Sequence, residues 1–233
     1  MIFDPRTPVT LSLPVTVPVD FCGMQWFGFP SYSTGYSTPF QSRVKYKCTY
    51  NNDWSFYGGS PSMWQKVEQT QGVYTWDALD KFVGDNYANG INVCVSMLYM
   101  PSFYSANPSQ SSDIAGVTAG AGGPLTALGR TGWANFVTAM VTRYKNRGTP
   151  IKYFQAWEEP WWPVTLGSGY WWGTEAELVD LAYIGYTAAK AADPSITVLS
   201  VSVSPPAAYV SEWWNTTGAI NTTIRGYNTC DEY

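Results

Sequence analysis

Ile151-Lys-Tyr-Phe-Gln-Ala-Trp157-Glu158-Glu159-Pro160-Trp161-Trp162 is the run from which the rest of the chain is read. Its first six residues form an apolar stretch of the kind that makes a buried strand. Two adjacent carboxylates follow at once, fenced by three tryptophans and halted by a proline. Charged residues make up only 13% of the chain, against about 25% in ordinary domains. A carboxylate pair set among aromatic rings is costly to desolvate. Two readings are open: a turn with two solvated acids, or a catalytic carboxyl beside a sugar-binding aromatic wall.

Working outward, apolar runs recur at Asp20–Phe27, Val44–Tyr50, Ile91–Leu98 and Ile196–Val203. Residues 1–19, rich in Pro, Thr and Val, read as an extended lead-in, and 20–233 as one domain. Between the strands lie helical signals. Met63–Glu68 makes a short turn of helix, and Asp77–Asn89 carries Leu79, Phe82 and Val83 before a stop at Gly90. Trp133, Phe136, Val137, Met140, Val141 and Tyr144 repeat at three and four residues and mark one buried helical face. Thr174 with Glu177 three residues on is a capping box, and Pro194 stands just past that helix. Long loops follow strands, and short turns follow helices. That asymmetry predicts a parallel α/β sheet of the TIM (β/α)8 barrel type, whose working face is built from the loops after the strands. A doubly wound sheet is the alternative; it favours a glycine-rich turn after its first strand, and none follows Phe27. Gly120-Ala121-Gly122-Gly123 lacks the Lys-Ser/Thr of a phosphate loop, so residues 102–124 read as a mobile loop.

Composition removes several chemistries. The chain has no histidine, which excludes Ser-His-Asp and Cys-His nucleophile systems and histidine metal sites. Its four cysteines form no Cys-x-x-Cys pair. They read as free thiols, or as a disulfide in an exported protein. The 13 Lys and Arg are scattered and the net charge is −4, so no nucleic-acid partner is expected. No apolar run approaches the roughly 18 residues of a membrane span, and no signal peptide is visible at the N-terminus. The compartment stays open: the cytoplasm, or a virion or other particle. No cofactor and no metal are expected.

Trp64-x-x-Val67-Glu68-x-x-x-Gly72-x-Tyr74-x-Trp76-x-x-Leu79-Asp80, then Arg143-Tyr144, then the Ile151–Pro160 run, together resemble the front half of a clan A glycoside hydrolase. Family 39 and its relatives are the nearest likeness, over roughly residues 20–205. The resemblance implies a retaining glycosidase with a carbohydrate substrate. The family's strand-four motif is Asn-Glu-Pro, and its Glu is the acid/base; here that role falls on Glu159, with Glu158 in place of the Asn. The family's nucleophile follows strand seven. Only five strands are counted before Ser204, with Cys230-Asp231-Glu232-Tyr233 resembling the lead into a sixth. Five-eighths of a barrel exposes two strand edges, so a further chain segment or a second subunit is expected to complete it. Otherwise the chain is a non-catalytic carbohydrate-binding or particle-surface relative.

Besides Glu158 and Glu159, the candidate sugar contacts are Trp157, Trp161 and Trp162 after strand four. Trp26, Asn51, Asn52, Trp54 and Tyr99 join them from just past other strand ends. With Trp171 and Trp172, the loop after strand four holds five tryptophans within sixteen residues, more than a core needs. Glu68, Asp77 and Asp80 are expected to support a turn and a helix rather than catalysis.

Overall fold

The computed structural model describes residues 63–88, 90–112, 116–158, 160 and 170–201, together with the backbone of strand segments at 23–25, 48–50, 223–224 and 227–228. Five strands form one sheet: β1 Gly23–Gln25, β2 Cys48–Tyr50, β3 Asn92–Ser96, β4 Tyr153–Gln155 and β5 Thr197–Leu199. All four pairings are parallel, and the spatial order is the chain order. Parallel neighbours need crossover connections, and helices supply them. After the single turn α1, Trp64–Val67, come α2 (Asp77–Ala88) before β3, α3 (Ala127–Asn146) before β4 and α4 (Glu175–Ala192) before β5. A doubly wound sheet reverses its strand order at a switch point. Among the described strands no reversal occurs, so the sheet winds in one direction. A separate antiparallel pair, β6 Thr223–Ile224 with β7 Tyr227–Asn228, lies later in the chain.

Register gives the sheet a local slant. β3 pairs with β2 through Asn92–Cys94 and with β4 through Cys94–Ser96, an offset of two residues. β3 is shorter than its apolar run because other partners take over the backbone groups beyond it. The carbonyls of Leu98 and Tyr99 accept the N–H groups of Trp64 and Gln65, both at 2.8 Å. Two otherwise orphaned donors at the start of α1 are thereby satisfied.

Caps explain where the long helices begin. The Thr126 hydroxyl accepts the Gly129 N–H at 3.0 Å, so α3 starts six residues before the apolar stripe that announces it. Thr174 and Glu177 form the expected capping box on α4. α3 and α4 pack on the sheet through Trp133, which stacks on Phe136, lies 6.2 Å from the Phe154 ring, and donates its indole N–H to the Leu181 carbonyl at 3.0 Å. Trp64, Trp133, Phe136, Met140, Tyr144 and Phe154 are all fully buried. Burying these side chains removes apolar surface from water at roughly 25 cal/mol per Å².

Of the three acids expected to support the turn and helix, Asp77 opens α2, and Glu68 and Asp80 are held in hydrogen-bond networks. Glu68, fully buried, accepts from Trp64 Nε1 at 2.5 Å, the Gly72 amide at 2.7 Å and the Tyr104 hydroxyl at 2.8 Å. Asp80 receives a forked pair from Arg143, at 2.8 and 2.6 Å, with further bonds from Tyr144 and Arg147. Burial would raise the Asp80 carboxyl. Hydrogen bonds from Arg143 and Tyr144, with the charges of Arg143 and Arg147, outweigh it and hold the group below the usual carboxylate range.

One expectation is overturned. The glycine-rich run is not a mobile loop: Gly120–Pro124 is buried and bonded. The Ala121 carbonyl accepts the Met100 N–H at 2.9 Å, and the Gly122 carbonyl accepts the Trp172 N–H at 2.8 Å. A Cβ at Gly122 would strike the Trp172 ring, and one at Gly123 (φ +84) would meet Trp171 and Met100 at 2.8 Å. These glycines are there because two tryptophans some fifty residues later lie against bare backbone.

Candidate active site at the ends of strands three and four

Because β3 and β4 are parallel, their C-terminal ends meet on one edge of the sheet. Along β4 the even positions face the helices: Phe154 lies near Trp133, and Phe154 and Ala156 both approach Gly185 of α4. Alternation in a strand turns Tyr153 and Gln155 to the opposite face. Parallel register then puts Cys94 and Ser96 of β3 and Thr197 and Leu199 of β5 on that same face. Gln155 donates to the Ser200 carbonyl at 2.6 Å. Cys94 is buried and forms no disulfide among the described residues.

Beyond the paired residues stands an aromatic wall. Trp157 is 1% exposed and meets Trp171 edge-on, with ring centroids 5.1 Å apart. Tyr99 meets Trp157 at 6.3 Å and Tyr170 at 5.9 Å, both edge-on. Such offset geometries suit the ring quadrupoles. Trp171 is tied down twice, by its amide to the Pro160 carbonyl at 3.2 Å and by its indole N–H to the Thr174 carbonyl at 3.1 Å. The loop after β3 and the loop after β4 are thus joined through Met100, Gly122, Gly123, Trp171 and Trp172. Glu158 lies in this setting at 3% exposure.

Two features of the wall are costly. Tyr99 holds φ +50, a left-handed conformation that a bulky side chain rarely takes. Such a residue carries about 1–3 kcal/mol of strain. Among the described residues the buried Trp157 Nε1 has no hydrogen-bond partner, and burying an indole N–H without one is costly.

Of the residues expected at a sugar site, Tyr99, Trp157 and Glu158 are described, and they come together. Burial changes what two of them do. Trp157 and the fully buried Tyr99 form the body of the wall and present no open ring face to solvent. Glu159, Trp161, Trp162, Trp26, Asn51, Asn52 and Trp54 lie outside the described residues. Tyr170 belongs to the wall and carried no sequence signal of its own. Among the described residues, no group of three or more His, Cys, Asp or Glu side chains could hold a metal ion, and no helix is long and apolar enough to cross a membrane.

No family model matches the chain. No curated protein matches it in sequence. Among solved structures the chain is similar to a GH10 structure from Paenibacillus barcinonensis, 16% identical over 66% of this chain and 43% of that one, with a TM-score of 0.45. It is similar to xylanase B from Clostridium stercorarium F9, 16% identical over 71% of this chain and 49% of that one, TM-score 0.45. It is also similar to the GH53 catalytic domain from Ignisphaera aggregans, 17% identical over 66% of this chain and 39% of that one, TM-score 0.39. The chain spans less than half the length of each.

Proposed function

We propose that the chain is the front part of a retaining O-glycoside hydrolase on a TIM barrel, of family 39 type, with Glu159 as general acid/base. The observation that carries this reading is an address. Trp157 and Glu158 directly follow the fourth of five parallel strands wound in sequence, on the edge where the strands end. Barrel enzymes carry their catalytic groups on that edge. In this reading Glu159 protonates the leaving glycosidic oxygen while a second carboxylate, about 5–5.5 Å away, attacks the anomeric carbon. Glu159 then takes a proton from the water that releases the sugar. A further chain segment or a second subunit supplies the second carboxylate. Trp26, Asn51, Asn52, Trp54, Trp161 and Trp162 contact the sugar, and Trp157 and Tyr99 back them.

Glu158 is the departure from the family pattern. A second ionised carboxyl converging on Glu159 would hold its proton to higher pH. Glu158→Asn, measured as a pH–rate profile, is therefore expected to move the basic limb downward. The decisive measurement is hydrolysis of aryl glycosides by the protein and by Glu159→Gln. A general acid is worth roughly 10²–10⁴ in rate, so equal activity in the two would end the assignment. A non-catalytic carbohydrate-binding or particle protein is the second reading, favoured by Glu158 in the Asn position. It predicts glycan-array binding without hydrolysis, lost on Trp161→Ala and Trp162→Ala.

A further inference from the structure

Two residues flank the adjacent carboxylates in the chain, Trp157 before them and Pro160 after them. Both are held by the same partner. The Trp171 ring meets Trp157 edge-on with centroids 5.1 Å apart. The Trp171 amide donates to the Pro160 carbonyl at 3.2 Å. The run Trp157-Glu158-Glu159-Pro160 is therefore fastened at both ends to one residue.

Trp171 is itself firmly seated. Its indole N–H donates to the Thr174 carbonyl at 3.1 Å, and Thr174 is the N-cap of α4, closed by its capping box with Glu177. Its ring lies between two glycines. A Cβ on Gly123 would come within 2.8 Å of Cζ3, and one on Gly173 within 2.8 Å of Cζ2. The next residue, Trp172, donates its amide to the Gly122 carbonyl at 2.8 Å. Trp171 is 8% exposed, so it has little surface to offer a ligand. Its contacts hold α4 on one side, the loop after β3 on another, and the carboxylate-bearing run between them.

A catalytic carboxyl needs that kind of support. It must lie within hydrogen-bond reach of the leaving oxygen, and a misplacement of about 1 Å can cost about a hundredfold in rate. The paired part of β4 ends at Gln155, so the ladder does not fix the residues beyond it. We infer that Trp171 is a positioning residue. It ties the Trp157–Pro160 run, and through it the acid/base Glu159, to the N-cap of α4, and Gly123 and Gly173 make room for its ring. The role given to Glu159 rests on the glycosidase reading above, whereas the fastening stands on the contacts alone.

Two variants test this. Trp171→Phe keeps a ring beside Trp157 and removes the bond to Thr174. Gly123→Ala puts a methyl group where the Trp171 ring lies. Trp133→Phe, which loses its hydrogen bond in the helix layer, is the control for stability lost elsewhere. Amide exchange, read by mass spectrometry on peptides covering residues 154–160, reports the fastening. About tenfold faster exchange is expected in both variants and not in the control. The ratio of kcat/KM between phenyl and dinitrophenyl glycosides reports the acid, with glucosides, xylosides and galactosides as probes. Dinitrophenolate departs without a proton, and phenolate needs one. The phenyl substrate is expected to lose about tenfold or more relative to the dinitrophenyl one in both variants. In Trp133→Phe the ratio is expected to hold, because a smaller folded fraction slows both substrates alike. Should Gly123→Ala fail to fold, Trp171→Phe decides alone. Unchanged exchange overturns the fastening. Faster exchange with an unchanged ratio overturns the positioning role. Should the protein hydrolyse neither substrate, the glycosidase reading falls and takes the positioning role with it, while exchange still decides whether Trp171 holds the run.

Discussion

Trp133 and Trp157 are both buried tryptophans in contact with the β4 region, and they are treated differently. Trp133 sits between α3 and α4 with its indole N–H on the Leu181 carbonyl. Trp157 sits at the strand ends, and its N–H has no partner among the described residues. The same contrast holds around them. On the helix side Glu68 gathers three donors and Asp80 is bonded by Arg143, Tyr144 and Arg147. At the strand ends Tyr99 has a left-handed backbone. Polar groups are satisfied where the only task is to hold the fold. Backbone strain and the unpartnered indole gather instead at the strand ends.

The contrast can be attacked at several strengths. Glu68→Gln should have the largest effect, because it turns an amide N–H₂ toward one of three buried donors; a loss of about 3 kcal/mol is expected from urea unfolding. A loss under about 1 kcal/mol would mean the helix side is less dependent on its polar network than its geometry implies. Next comes the tryptophan pair. Trp133→Phe removes a made hydrogen bond and Trp157→Phe an unmade one. Both shrink a buried ring, so Trp133→Phe should cost more by about 1–2 kcal/mol. Equal costs would erase the distinction between the two regions.

The smallest effect is the response to alkali. Burial, then the hydrogen bond to Glu68, pushes the Tyr104 hydroxyl well above its ordinary range. Burial, then Asp80, does the same for Tyr144. Burial with the Glu68 charge pushes Tyr74 up to about 12. A folded-state pKa above the unfolded value of about 10 gives stability that is complete below pH 10. It is lost progressively as pH rises toward the folded value. Thermal melts from pH 9 to 11 should show a falling midpoint, with a shallower fall in Tyr104→Phe.

Local signals made the scaffold legible. Thr174 with Glu177, Gly90 after α2 and the stripe from Trp133 to Tyr144 act within one or two turns, so a sequence displays them directly. The support roles of Glu68 and Asp80 were legible because they belong to a recognisable run. The strand-end region was harder, since its contacts join distant residues. Gly122 and Gly123 looked like loop because Trp171 and Trp172, which require them bare, lie far along the chain. Five tryptophans suggested open stacking platforms. The count did not reveal that Trp157 and Trp171 would pack edge to face against one another.

The two-residue offset at β3 reaches further than the pairing it describes. β2 and β4 use the same three residues toward both neighbours, while β3 shifts by two. A step of two at every second strand, continued around eight strands, sums to a shear of eight, the value at which a barrel tilts its strands by about 36°. It also sorts the inward side chains into tiers. Cys94, Tyr153 and Thr197 share one level, and Ser96, Gln155 and Leu199 share the next. Trp157 stands two residues above that upper tier, so the height of the aromatic wall over the paired strands is set by the hydrogen-bond register of a single five-residue strand.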